Sequence, residues 1–156
     1  MTANSITKLG SGDYQVHTQI DIAAPASVVW DTLTDFDNYG WSSSFKGLDK
    51  PVAPGAEITA TFHTMGRDQT IEHELIDVEP GVQWAWSDAF ALGMVDEHLY
   101  RVEPIDETNS RFIQRDRPHG GAAIIAGGFA ARSFKKMYEA FNAELKAEAE
   151  RRHSAT

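Results

Sequence analysis

Apolar and polar residues alternate with a period of two over much of the chain, then switch to a helical period near its end. In residues 14–22, Tyr14, Val16, Thr18, Ile20 and Ile22 oppose Gln15, His17, Gln19 and Asp21, which predicts a strand with one buried face. The alternation recurs with Ile58, Ala60 and Phe62, with Ile71, His73 and Leu75, and with Val82, Trp84 and Trp86. It returns with His98, Tyr100 and Val102, and again with Phe112, Gln114 and Asp116. A short strand is expected around Phe45 to Leu48. Turn residues separate these runs at 65–68, 79–81 and 104–109, and short connections of this kind join antiparallel neighbours. Pro25 opens a short helix whose apolar side is Val29, Trp30, Leu33 and Phe36, and residues 35–41 read as a second short helix or turn.

From residue 120 to 152 the spacing becomes helical. Phe134, Met137, Phe141 and Leu145 share one face, and Lys135, Lys136, Glu139, Lys146 and Glu150 share the other. An apolar stripe must be buried against a partner, and everything before it reads as strands, so that partner is a sheet. The predicted class is α+β: a curved, seven-stranded antiparallel sheet around a long C-terminal helix, with two short helices after the first strand. One domain is expected over residues 13–152, with tails at 1–12 and 153–156.

Composition narrows the function. A formal net charge of −9 argues against nucleic-acid partners and against anionic membranes. Cysteine is absent, which removes disulfides, thiolate nucleophiles and cysteine-based metal sites. No apolar run is long enough for a membrane span, and the first residues lack the charged and apolar regions of a secretory leader. The expectation is a cytoplasmic monomer or homodimer without metal or cofactor.

The strand phases place several polar groups on the inner face. A hairpin symmetric about Glu107 sets Val102 against Phe112, Tyr100 against Gln114 and His98 against Asp116. Directly opposed side chains on one face lie about 5 Å apart at Cβ, so His98 and Asp116 are within hydrogen-bonding reach. Three readings of His98, Asp116 and His73 stay open: a paired structural cluster, polar groups that orient a guest in an apolar pocket, or general acid/base catalysis with His98 held by Asp116. A metal site from the same three is disfavoured, because their spacing shows no convergent geometry. Trp84 and Trp86 are core or cavity wall. Tyr39 and Trp41 gate a cavity mouth or pack the helix turn.

Residues 20–35, Ile-Asp-Ile-Ala-Ala-Pro-Ala-Ser-Val-Val-Trp-Asp-Thr-Leu-Thr-Asp, with Tyr39 and Trp41 after them, resemble the opening segment of the START-like or SRPBCC superfamily. Glu79-Pro80 followed by Val82, Trp84 and Trp86 resembles its turn and strand, and residues 141–150 its helix end. The pattern is most similar to the polyketide cyclase/dehydrase family. The resemblance implies the helix-grip fold, with a hydrophobic small-molecule ligand in a cavity between sheet and helix. That cavity would be lined by Tyr39, Trp41, Phe62, His73, Trp84, Trp86, Gln114, Ile125, Phe129, Phe134 and Met137. It implies as a rival an enzyme in which His98, Asp116 and Tyr100 handle protons during aldol closure or water loss. A third reading is an accessory protein acting through its outer surface. Gly120, Gly121, Gly127 and Gly128 mark either close packing of the helix start or a hinge, and residues 124–131 are where an opening is expected.

Overall fold

The alternating segments form the strands β1 (Ser5–Gly10), β2 (Asp13–Ile22), β3 (Phe45–Leu48) and β4 (Glu57–Thr64), then β5 (Arg67–Glu79), β6 (Gln83–Ala89), β7 (Val95–Pro104) and β8 (Ser110–Asp116). Helix α1 spans Ala26–Thr34, and α2 spans Ala123–Ser154. Single helical turns lie at Phe36–Asn38 and Ala91–Gly93. This computed structural model describes residues 4–89 and 91–155. Among them the strands make one antiparallel sheet in the order β1-β2-β8-β7-β6-β5-β4-β3, and α2 lies across its inner face.

The sheet has eight strands rather than seven, because residues 5–10, expected to be tail, pair with β2 from Ser5 opposite His17 to Lys8 opposite Tyr14. Only Ile6 of this edge strand packs against the core, so the segment carries almost no apolar alternation to read. Its order comes from backbone hydrogen bonds, which leave no mark in composition. At the other end, α2 continues to Ser154, two residues past the expected boundary.

The period-two phases are borne out. Ile58, Ala60, His73, Leu75, Trp84, Trp86, His98, Tyr100, Val102, Phe112, Gln114 and Asp116 are all buried. The register of β7 and β8 sets Val102 against Phe112, Tyr100 against Gln114 and His98 against Asp116. An irregularity between Leu75 and Asp77 shifts the phase of β5, so Ile76 is exposed and Val78 packs against the core.

Helix α2 is held differently along its length. In its second half Phe141, Leu145 and Ala149 enter the main core. Polar ties reinforce that half: Ala23 N–H donates to Glu150, Lys146 to the Asp21 carbonyl, Ser43 N–H to Glu144, and Arg152 to Asp35. In its first half the helix leans on β2 through small residues. A Cβ on Gly127 would sit 2.7 Å from the Tyr14 ring, and Ala131 is buried beside Val16. Close packing therefore accounts for Gly127. Gly120 and Gly121 precede the helix; at Gly121, φ is +43° and a Cβ would sit 2.0 Å from the Leu92 carbonyl oxygen, so the strand-to-helix join requires glycine there. Leaning toward β2 leaves the opposite flank of this half, above β4–β6, uncovered.

Candidate functional site

That uncovered flank is a half-open cleft of about 160 Å³. Phe62 and Thr64 of β4, Gln69 and Ile71 of β5, Trp86 and Asp88 of β6, and Asp96 and His98 of β7 line it from the sheet. Phe134, Met137 and Tyr138 close it from α2. A narrow inner extension of about 10 Å³ continues past Phe45, Tyr100, Gln114 and Phe141. The walls are apolar and the floor is polar, the composition of a small-molecule site. A larger depression of about 300 Å³ lies along Lys50, Glu57, Thr59, Glu72 and Glu74, but it is more polar and shares no residue with the cleft.

Of the residues expected to line a cavity, Phe62, Trp86, Phe134 and Met137 do so, together with His98. Gln114 and Tyr100 border only the inner extension. Trp84 is core, with ring contacts to Trp30, Phe36 and Tyr100. Tyr39 is core as well, donating its hydroxyl to the Leu33 carbonyl at 2.7 Å. Trp41 packs on Tyr39 and Phe141, so this pair packs the helix turn and does not border the cleft. His73 is hidden behind Trp86, stacked on it at 4.5 Å. Ile125 and Phe129 are 94% and 77% exposed and do not reach the cleft. The opening lies one to three turns further along α2 than the expected 124–131, because Gly127 and Ala131 seal that stretch onto β2.

The pairing of His98 with Asp116 also differs from expectation. Both face inward, but the His98 Nε2–H donates to Gln114 Oε1 at 2.9 Å, and Gln114 donates in turn to Asn142 Oδ1 at 2.7 Å and to the Tyr138 carbonyl at 3.3 Å. That network fixes the neutral tautomer with its proton on Nε2. Burial pulls the His98 pKa down to about 3, against the opposing pull of the Gln114 bond. Asp116 instead accepts from the Tyr138 hydroxyl at 2.5 Å and shares a hydrogen bond with Asp96. Burial first, then that bond and the Asp96 charge, push the Asp116 carboxyl well above the ordinary carboxylate range, while burial raises Asp96 less. Burial and mutual repulsion thus bias both carboxyls toward the protonated form, Asp116 the more strongly, and Asp96 is the member that borders the cleft. Asp88 lies across from Asp96 in the β6–β7 register and forms an ion pair with His73 Nδ1. Among the described residues no three His, Asp or Glu side chains converge as a metal-ligand set.

A protonated Asp116 makes a specific prediction. In Asp116→Asn the amide can donate to Asp96 while its carbonyl accepts from Tyr138, so the variant mimics the protonated acid. The folded-state pKa of Asp116 is raised, so its stabilising contribution is present below the unfolded value and lost as pH rises through the folded one. Asp116→Asn is therefore expected to match or exceed the wild type in denaturant midpoint at neutral and alkaline pH. Asp116→Ala, which orphans Tyr138, is expected to lose about 2 kcal/mol. Equal destabilisation by both would contradict a protonated Asp116.

Asp88, Asp96, Tyr138 and Asn142 do not figure among the sequence-based candidates. Their phases were available: Asp88 continues Trp84 and Trp86, Asp96 precedes His98 by two, and Tyr138 and Asn142 flank the stripe of α2.

No curated protein matches the chain in sequence. Solved structures that share its fold include DynU16, of the dynemicin biosynthetic locus, at a TM-score of 0.67 and 18% identity, covering 85% of this chain and 46% of that one. A START superfamily protein from Mycobacterium smegmatis aligns at 0.67 and 16%, over 88% of this chain and 97% of that one. The di-domain aromatase/cyclase StfQ, from the steffimycin biosynthetic pathway, aligns at 0.70 and 14%, over 90% and 52%. The chain thus spans about half the length of two of these relatives. Residues 14–150 match the family described as polyketide cyclase / dehydrase and lipid transport, and the chain belongs to that family.

Proposed function

We propose that the protein binds a small hydrophobic molecule by inserting one ring, or a fragment of that size, into the cleft between β4–β6 and the first half of α2. The observation that carries this reading is the cleft itself: aromatic and aliphatic walls around a volume of about 160 Å³. A dry cavity of about 150 Å³ accepts a benzene-sized guest, whereas drug-sized ligands occupy about 300–1,000 Å³. The size therefore favours a single ring over a fully enclosed lipid or folded polyketide chain.

A second reading, proton-transfer catalysis on a polyketide-like substrate, is favoured by Asp96. It is a cleft-lining carboxylate backed by a protonated neighbour, which suits it to general acid/base work better than the hydrogen-bonded, neutral His98. Tyr100, stacked between Trp84 and His98, offers support rather than chemistry.

Trp86 provides the test. Titration with a neutral monoaromatic compound such as 2-phenylethanol is expected to change tryptophan fluorescence saturably, and Met137→Trp, which fills the cleft, is expected to abolish that change. Saturable binding that survives Met137→Trp unaltered would place the guest elsewhere.

A further inference from the structure

The acidic side chains on the polar side of the cleft have no basic counterpart among its described lining residues. Asp88 and Asp96 border it, and among the described lining residues there is no lysine or arginine. Asp96 is 5% exposed, and its Oδ1 has no donor from the protein apart from the Asp116 carboxyl. The ionisable groups around it are Asp88, Asp116, His73, His98, His119 and Tyr138. Asp88 and Asp96 lie directly opposite one another in the β6–β7 register, so two carboxyls border the cleft with no lysine or arginine among its described lining residues. A negative charge held in an apolar recess is costly unless a positive partner joins it. The walls suit such a partner, because Trp86, Phe62 and Phe134 present rings to the same space, and ring faces attract cations.

We propose that the guest of this cleft is a cation: a primary or secondary ammonium on a single ring or short apolar body, with its N–H groups donated to Asp96 and Asp88 and its apolar part against Trp86 and Met137. The proposal rests on the binding reading above and narrows it. It also excludes free fatty acids and other carboxylates, whose charge would meet Asp96 across a medium that screens poorly. The apolar body stays within the size of one ring, and anything longer extends out through the open side.

Calorimetry on the full chain with three matched probes tests this. They are 2-phenylethylammonium, 2-phenylethanol and 3-phenylpropionate, which share a phenyl ring and a short arm and differ in charge. The ammonium is expected to bind at least about tenfold more tightly than the alcohol, the gain typical of a hydrogen bond to a charged group. The carboxylate is expected to bind more weakly than the alcohol. Asp96→Asn is expected to bring the ammonium to within about threefold of the alcohol measured on the same variant. Asp88→Asn, checked for folding by circular dichroism, serves as the second variant and is expected to reduce the preference in part. An alcohol that binds as tightly as the ammonium, a carboxylate that binds most tightly, or a preference that survives both substitutions overturns the cationic guest and leaves the hydrophobic cleft standing. Failure of all three probes to bind overturns both.

Discussion

Between neutral pH and about pH 4.5 the protein is expected to lose about 2.5 kcal/mol of stability through His98 alone. The imidazole is buried and neutral, and its pKa is depressed to about 3 from an ordinary 6.5. Below the ordinary value the unfolded chain takes up a proton that the folded chain refuses. Stability is thus fully present above the unfolded pKa and falls as pH drops toward the folded one. The window separates this cause from the carboxylates whose pKa values are lowered. Glu148, lowered to about 2 by its hydrogen bond to Arg151, and Asp21, lowered by Arg111, stabilise only above the carboxylate range and lose that contribution below it. Asp116 runs the other way, since its raised pKa favours the fold at low pH. Urea denaturation of wild type and a His98 variant at about pH 7, 6, 5 and 4.5 therefore isolates the histidine as the difference between the two slopes, with Asp116 common to both. A His98→Gln variant keeps a side-chain donor toward Gln114 and should flatten the slope. A His98→Gln slope identical to that of the wild type across this range would contradict a buried neutral His98.

Phe141→Ala is expected to cost about 3–5 kcal/mol, the usual range for removing a buried aromatic ring. Phe141 meets the rings of Trp41, Phe45, Tyr100 and Phe112, and so joins α2 to the turn after α1, to β3 and to the centre of the sheet. A cavity there cannot close easily, because Leu145 and the four polar ties at Glu144, Lys146, Glu150 and Arg152 fix the helix directly beyond it. Phe129→Ala provides the contrast: the ring is largely exposed and its loss is expected to change stability by less than about 0.5 kcal/mol. Thermal or urea denaturation of the two variants checks the division of α2 into an anchored half and a half that borders the cleft. Comparable losses at both positions would contradict it.

The sheet was legible because a period-two pattern survives in every central strand, and a symmetric hairpin fixed the β7–β8 register down to His98 opposite Asp116. The edge strand β1 was not legible, since five of its six residues are exposed and it is held by backbone pairing. The site was half legible. Phe62, Trp86, Phe134 and Met137 follow from face and period alone. The partners of His98 and Asp116 do not, because strand register brings two residues opposite one another without deciding which third residue each will bond. That choice was made by Tyr138, Asn142 and Asp96, two of which come from a helix whose angle across the sheet no local pattern encodes. The helix tilt is set by Gly127 against Tyr14, a contact between residues 113 positions apart (127 − 14), and it moved the opening away from Ile125 and Phe129 toward Phe134 and Met137.

The most direct test of the cleft is to map a monoaromatic guest by nuclear magnetic resonance, following the Met137 methyl, the Ile71 methyls and the Trp86 indole through a titration. These signals should shift together and saturate with one apparent affinity, while the methyls of Ile125 stay unchanged. Saturable shifts that fall instead on Ile125, or along the outer depression at Thr59 and Glu72, would contradict the assignment of the cleft as the binding site.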